Sequence, residues 1–132
     1  MSQENVELYR RGFEAYNRGD MDTLLSLVHP DFEYVTAGLF PGLRPVYRGH
    51  AGFRDLWRDF RETWDSLQVE IDEIRDIGDL VVARLTFRAR SREGLEVDRQ
   101  FGQIFTVKDG LGVRQHTYGT WDEALEAAGL SE

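Results

Sequence analysis

Val6, Tyr9, Phe13 and Tyr16 recur at three- and four-residue steps, so the chain opens with a helix carrying one apolar face. Asn17-Arg18-Gly19-Asp20 ends it, with Gly19 suited to the left-handed residue that closes a helix. Asp20 or Asp22 can cap a second short helix holding Leu24, Leu25, Leu27 and Val28, and His29-Pro30-Asp31 breaks it. Phe32 to Thr36 reads as a short strand. Residues 37–49 contain Gly38, Pro41, Gly42, Pro45 and Gly49, which makes a loop long enough to be either a functional lid or a plain surface connection. A third helix follows, with Phe53, Leu56, Trp57, Phe60 and Trp64 as its apolar stripe and a run of Arg, Asp and Glu on the wet side.

From residue 67 the period changes to two. Leu67, Val69 and Ile71 alternate with polar residues, and the parity slips before Ile74, the mark of a bulge. Gly78-Asp79 turns the chain into a strand whose inward set is Val81, Ala83, Leu85, Phe87 and Ala89. Arg92-Glu93-Gly94 turns it again. Val97 to Val107, the Asp109-Gly110 hairpin and Val113 to Tyr118 complete the strands, and Trp121, Ala124, Leu125 and Ala128 form a closing helix that stops at Gly129. Helices and antiparallel strands are segregated, so the fold class is α+β, one curved sheet on helices, in a single domain over residues 1–132.

Hairpin register tells which side chains share the interior, because residues opposite one another point the same way. A three-residue loop at 92–94 sets Leu85 against Phe101 and Phe87 against Arg99. A two-residue loop at Asp109-Gly110 sets Phe105 against Arg114, Gln103 against His116 and Phe101 against Tyr118. A three-residue loop there would turn His116 and Tyr118 outward. The first register gives aromatic walls from Tyr16, Tyr34, Trp57, Phe60, Phe101 and Phe105, with Arg99, Gln103, His116 and Tyr118 as polar contacts. An apolar interior with a few convergent polar groups is the composition of a small-molecule pocket.

Charge narrows the partners. Asp and Glu total 24 against 16 Lys and Arg, a formal charge of −8, which repels nucleic acid and anionic membrane. Cysteine is absent, which removes disulfides, thiolate metal sites and thiol nucleophiles. The three histidines fall on separate elements without metal-site spacing, so neither metal nor cofactor is expected. No apolar run reaches the length of a membrane span, and the N-terminus lacks a signal-peptide core; the expected location is the cytoplasm.

Four stretches carry a family resemblance: AYNRGDMDTLLSLVHPDFEY (15–34), YRGHAGFRDLW (47–57), FTVKDG (105–110), and Tyr118 followed by EALEAAGL (123–130). Together they resemble the SnoaL-like branch of the NTF2-like superfamily over nearly the whole chain. The resemblance implies a cystatin-like cone, a strongly curved sheet around a long N-terminal helix with an internal pocket, and homodimerisation through the outer sheet face. It does not imply one activity, since the superfamily holds cyclases, isomerases, hydrolases, dehydratases and non-catalytic binders. Ketosteroid isomerases of this fold use an Asp base, a Tyr and a protonated Asp. Counted from matching motifs, those positions fall at Thr36, Gly12 and Gln103, and none of the residue types agrees. SnoaL-type cyclases often keep an acid two residues after the aromatic of the last strand, where this chain has Thr120.

Three functions fit these residues. The first is a binding domain for a small apolar ligand, cyclic or aromatic, held by Tyr16, Tyr34, Trp57, Phe60, Arg99, Phe101, Gln103 and Phe105. The second is a metal-free acid–base enzyme of cyclase, isomerase or hydrolase type, with His116 and Tyr118 catalytic. The third is a homodimeric scaffold without a ligand. The missing acid at Thr120 favours the first over the second.

Overall fold

A computed structural model of the chain describes residues 2–40 and 42–130. Helix α1 (Ser2–Arg18) lays Val6 and Tyr9 into the core, with Phe13 and Tyr16 half-buried on the same face. It closes at Gly19, whose φ is +79°. Helix α2 (Met21–Ser26) starts on Asp20, whose carboxylate accepts from the Thr23 amide. Strand β1 (Val28–Val35) begins four residues earlier than the alternation suggested, so Val28 is strand rather than helix. Strand β2 (Val46–Arg48) is a short edge strand inside the expected loop. Helix α3 (Gly49–Thr63) buries Phe53, Leu56 and Phe60. Trp64, expected on its stripe, is instead the first residue of β3 (Trp64–Ile77), where it packs edge-on against Phe87. Strands β4 (Leu80–Ser91), β5 (Glu96–Lys108) and β6 (Leu111–Tyr118) follow, then helix α4 (Trp121–Ala127).

The six strands form one sheet in the order β2-β1-β6-β5-β4-β3, antiparallel except where β1 lies parallel to β6. That is the mixed α+β architecture the sequence implied. The bulge before Ile74 is present: β3 and β4 shift register between Ile71 and Glu73. Leu85 faces Phe101 and Phe87 faces Arg99, as the 92–94 loop requires. The edge strand β3 is closed by α1, since the Asn17 amide donates to the Val69 carbonyl and accepts from the Val69 N–H at 3.0 and 3.2 Å.

The last hairpin departs from expectation. Asp109 and Gly110 do form a two-residue turn, with φ of +52° and +78°, and Lys108 faces Leu111. Val107 then faces Gly112, but Thr106 faces Arg114, so Val113 is an extra residue on β6. From there Phe105 faces Gln115, Ile104 faces His116, Gln103 faces Thr117 and Gly102 faces Tyr118. The straight register would have pointed Arg114 into an apolar core. A buried unpaired guanidinium costs more than one interrupted ladder bond. The bulge turns Arg114 outward to Glu33 at 3.0 Å and sends the neutral Gln115 and Thr117 inward.

Outside the sheet, α4 covers part of β4 and β5 with Ala124 and Leu125 on Val82 and Ile104. Gly102 permits that approach: a Cβ there would lie 2.5 Å from the Ala124 Cβ. The open remainder of the outer face pairs its charges within the chain, with Arg88 on Glu70 and Asp98 and Arg84 on Glu73. No helix among the described residues is long and apolar enough to cross a membrane.

Candidate functional site

The concave side of the sheet, α1, α2 and α3 leave a cavity of about 70 Å³. Its walls are aliphatic and aromatic: Leu8, Tyr9, Phe13 and Tyr16 from α1, Phe53, Leu56 and Phe60 from α3, and Val69, Leu85, Phe87 and Phe105 from the sheet. Phe40 enters from the connection between β1 and β2 and packs on Phe60, Phe87 and Phe101 at ring-centroid distances of 5.6, 5.5 and 4.9 Å. The loop is held there by Thr36, whose hydroxyl donates to the Arg44 carbonyl at 2.6 Å. Through Phe40 it contributes to the wall of the cavity.

One polar cluster interrupts this lining, and Gln103 is its centre. Its carbonyl oxygen accepts from the Tyr9 hydroxyl at 2.6 Å and from the Gln115 Nε2 at 2.7 Å. Its own Nε2 donates to the Thr117 hydroxyl at 2.9 Å. The Tyr34 hydroxyl adjoins Thr117 and Gln103. Burial pushes the Tyr9, Tyr16 and Tyr34 phenols above their ordinary range, so all three are neutral at physiological pH. Among the described residues the lining contains no carboxylate, histidine, lysine or arginine. The cavity can offer hydrogen bonds and aromatic faces, but it holds no group that takes a proton near neutrality.

Of the residues expected from sequence, Tyr16, Tyr34, Phe60, Gln103 and Phe105 line the cavity. Phe101 is buried behind it, against Phe40 and Phe87. Trp57 stands outside, edge-on to Tyr16 at 5.1 Å. Arg99 lies on the inward parity, but beyond the end of the core; it is exposed, with its guanidinium 4.8 Å from the Phe101 ring centroid. His116 and Tyr118 are corrected outright. The Val113 bulge puts both on the outer face, where their rings stack at 4.2 Å and 11°. His116 cannot reach a molecule in the cavity. Its Nδ1 is buried without a hydrogen-bond partner, and that burial, helped by Arg114, lowers its pKa below the usual histidine value.

His29 and His50 serve the backbone: His29 Nδ1 accepts from the Asp31 amide, and His50 Nε2 bonds the Val28 carbonyl. Among the described residues no group of three or more His, Asp or Glu could hold a metal ion. Thr120, where an acid was sought, is the N-cap of α4 and accepts from the Glu123 amide at 3.1 Å. The residues that sequence reasoning missed are Tyr9, Gln115 and Thr117. Arg114 was the signal for the last two, because the straight register would set it opposite the deeply buried Phe105, whereas the inward Arg99 lies where its strand has left the core.

The comparisons agree with this architecture. TerC, in a crystal structure obtained with polyporic acid, shares 25% identity and a TM-score of 0.80 over 88% of this chain and 91% of that one. Bal32a, from a soil-derived mobile gene cassette, shares 26% identity and a TM-score of 0.78 over 92% of this chain and 96% of that one. An NTF2-like protein of unknown function from Burkholderia pseudomallei shares 22% identity and a TM-score of 0.82 over 93% and 95%. No curated protein matches the chain. The SnoaL-like domain family matches residues 9–115, and with the cone-like sheet and its interior cavity in view, the chain belongs to that family.

Proposed function

We propose that the chain binds a small apolar molecule, cyclic or aromatic, in the interior cavity. The observation that carries this reading is the lining: aromatic and aliphatic walls around the neutral Tyr9, Tyr34, Gln103, Gln115 and Thr117 cluster. Such a site holds a ring by contact and orients it by one or two hydrogen bonds. The crystal of TerC with polyporic acid supports the reading, because that relative was obtained with a small molecule. A base at His116 has no part in it, since that side chain lies across the sheet from the cavity.

Titration of 2-naphthamide into ¹⁵N-labelled protein tests the proposal. Saturable shifts are expected at Gln103, Gln115 and Thr117 and their strand neighbours. Shifts confined to the outer face around His116 and Tyr118, or no saturable shift at all, would overturn it.

A further inference from the structure

The cavity is small beside the few hundred Å³ of a drug-sized pocket, but it does not stand alone. A second, open cleft of about 390 Å³ lies between the C-terminal ends of α1 and α3 and the start of β3. The two spaces share two side chains, Tyr16 and Phe60, whose rings stand 6.4 Å apart at 77°. These rings are the wall between inside and outside.

The cleft reverses the charge of the molecule. The chain carries −8, yet the cleft presents Arg18, Arg61 and Arg92 against the single carboxylate of Asp65. Two of the arginines are engaged. Arg18 reaches Asp20 at 3.2 Å, and Arg92 donates to the Arg61 and Glu62 carbonyls at 2.6 and 2.9 Å. The Arg61 guanidinium has no ion pair or hydrogen bond among the described residues. It lies over the Trp57 ring, 5.0 Å from the centroid, a contact that uses the face of the guanidinium and not its N–H donors. Beside it, the Tyr16 hydroxyl also makes no hydrogen bond to a described residue, although Phe13, Trp57 and Phe60 hold its ring edge-on. Both groups line the same cleft and both pack on the Trp57 ring, Tyr16 at 5.1 Å and Arg61 at 5.0 Å from its centroid; the Arg61 charge also opposes the rise that burial imposes on the Tyr16 phenol.

We propose that Arg61 and the Tyr16 hydroxyl form an anion-binding end to the cavity, so that the ligand is an amphipathic acid whose ring enters by displacing the Tyr16–Phe60 ring contact while its carboxylate or acidic hydroxyl stays in the cleft. This rests on the interior cavity being the ligand site. The charge cannot go deeper, because no cation lines the interior to meet it. In the cleft it meets a guanidinium fork and a phenol donor, the pairing that recognises planar acids.

Calorimetric titration with 2-naphthoate and its uncharged isostere 2-naphthamide separates the two ideas. The wild-type chain is expected to bind naphthoate about fivefold or more tightly than the amide. Arg61→Gln is expected to weaken naphthoate about tenfold and leave the amide within about twofold. Arg10→Gln, an exposed charge on α1 outside the cleft, controls for net charge and leaves both unchanged. Tyr16→Phe is expected to weaken naphthoate more than the amide, because the phenol donor binds a carboxylate more strongly than a neutral carbonyl. Equal affinity for acid and amide, or an Arg61→Gln loss shared by both, overturns the anion site and leaves the cavity reading standing. Binding of neither probe overturns both.

Discussion

Gln103 joins three other buried side chains, so its removal reaches further than its own contacts. Gln103→Leu keeps the volume but leaves Tyr9, Gln115 and Thr117 with unmet polar groups in a dry interior. A loss of about 2–4 kcal/mol in urea unfolding is expected, and a loss under about 1 kcal/mol would mean the cluster is not closed as described. Gln103 was legible as an inward polar residue from its parity with Phe101 and Phe105. Its partners were not, because they depend on the register of β6. His116 shows the same dependence from the other side. Its folded pKa is held below the ordinary histidine value of about 6.5. As pH falls through that value the unfolded chain takes the proton first. Stability attributable to His116 is therefore complete above about pH 6.5 and declines as pH falls toward the folded pKa. His116→Gln is expected to flatten the fall in denaturation midpoint as pH drops below about 6.5. An unchanged slope would show that His116 is not desolvated.

At the scale of elements, turns announced themselves and the bulge at Val113 did not. Gly94 and Asp109-Gly110 sit at positive φ where the hairpins need it, and their loop lengths followed from composition. The bulge answers a contest between burying Arg114 and interrupting the ladder, which periodicity alone does not weigh. Helix α4 was visible from Trp121, Ala124, Leu125 and Ala128, but its seat on the outer face depends on Gly102, twenty-two residues before Ala124. Thr120, conspicuous as a missing acid, has a structural task at the start of that helix. Thr120→Ala is expected to cost about 1 kcal/mol and Thr120→Ser almost nothing, measured by thermal unfolding. An equal loss in both variants would show that the hydroxyl cap contributes nothing.

For the whole molecule, helical stripes followed by period-two strands were enough to read an α+β fold with one curved sheet on helices, and the family resemblance added the cone. What closes the cone was not legible. The parallel pairing of β1 with β6 joins residues some eighty positions apart. Phe40 enters the interior from a loop whose composition suggested either a lid or a plain surface connection. Those long-range choices set the size and polarity of the cavity, and the cavity is where the functional reading stands or falls. Gly12 offers a direct test. It lines the cavity from inside α1, and a Cβ built there meets nothing within 4 Å. Gly12→Leu should fill the space while strengthening the helix by about 1 kcal/mol. Titration calorimetry of 2-naphthamide against this variant and the wild type, at matched folding by thermal melt, is the decisive measurement. Saturable binding by the wild type, lost at least about tenfold in a Gly12→Leu chain of equal or higher melting temperature, is the expected result. Equal binding by both chains, or none by the wild type, would contradict it.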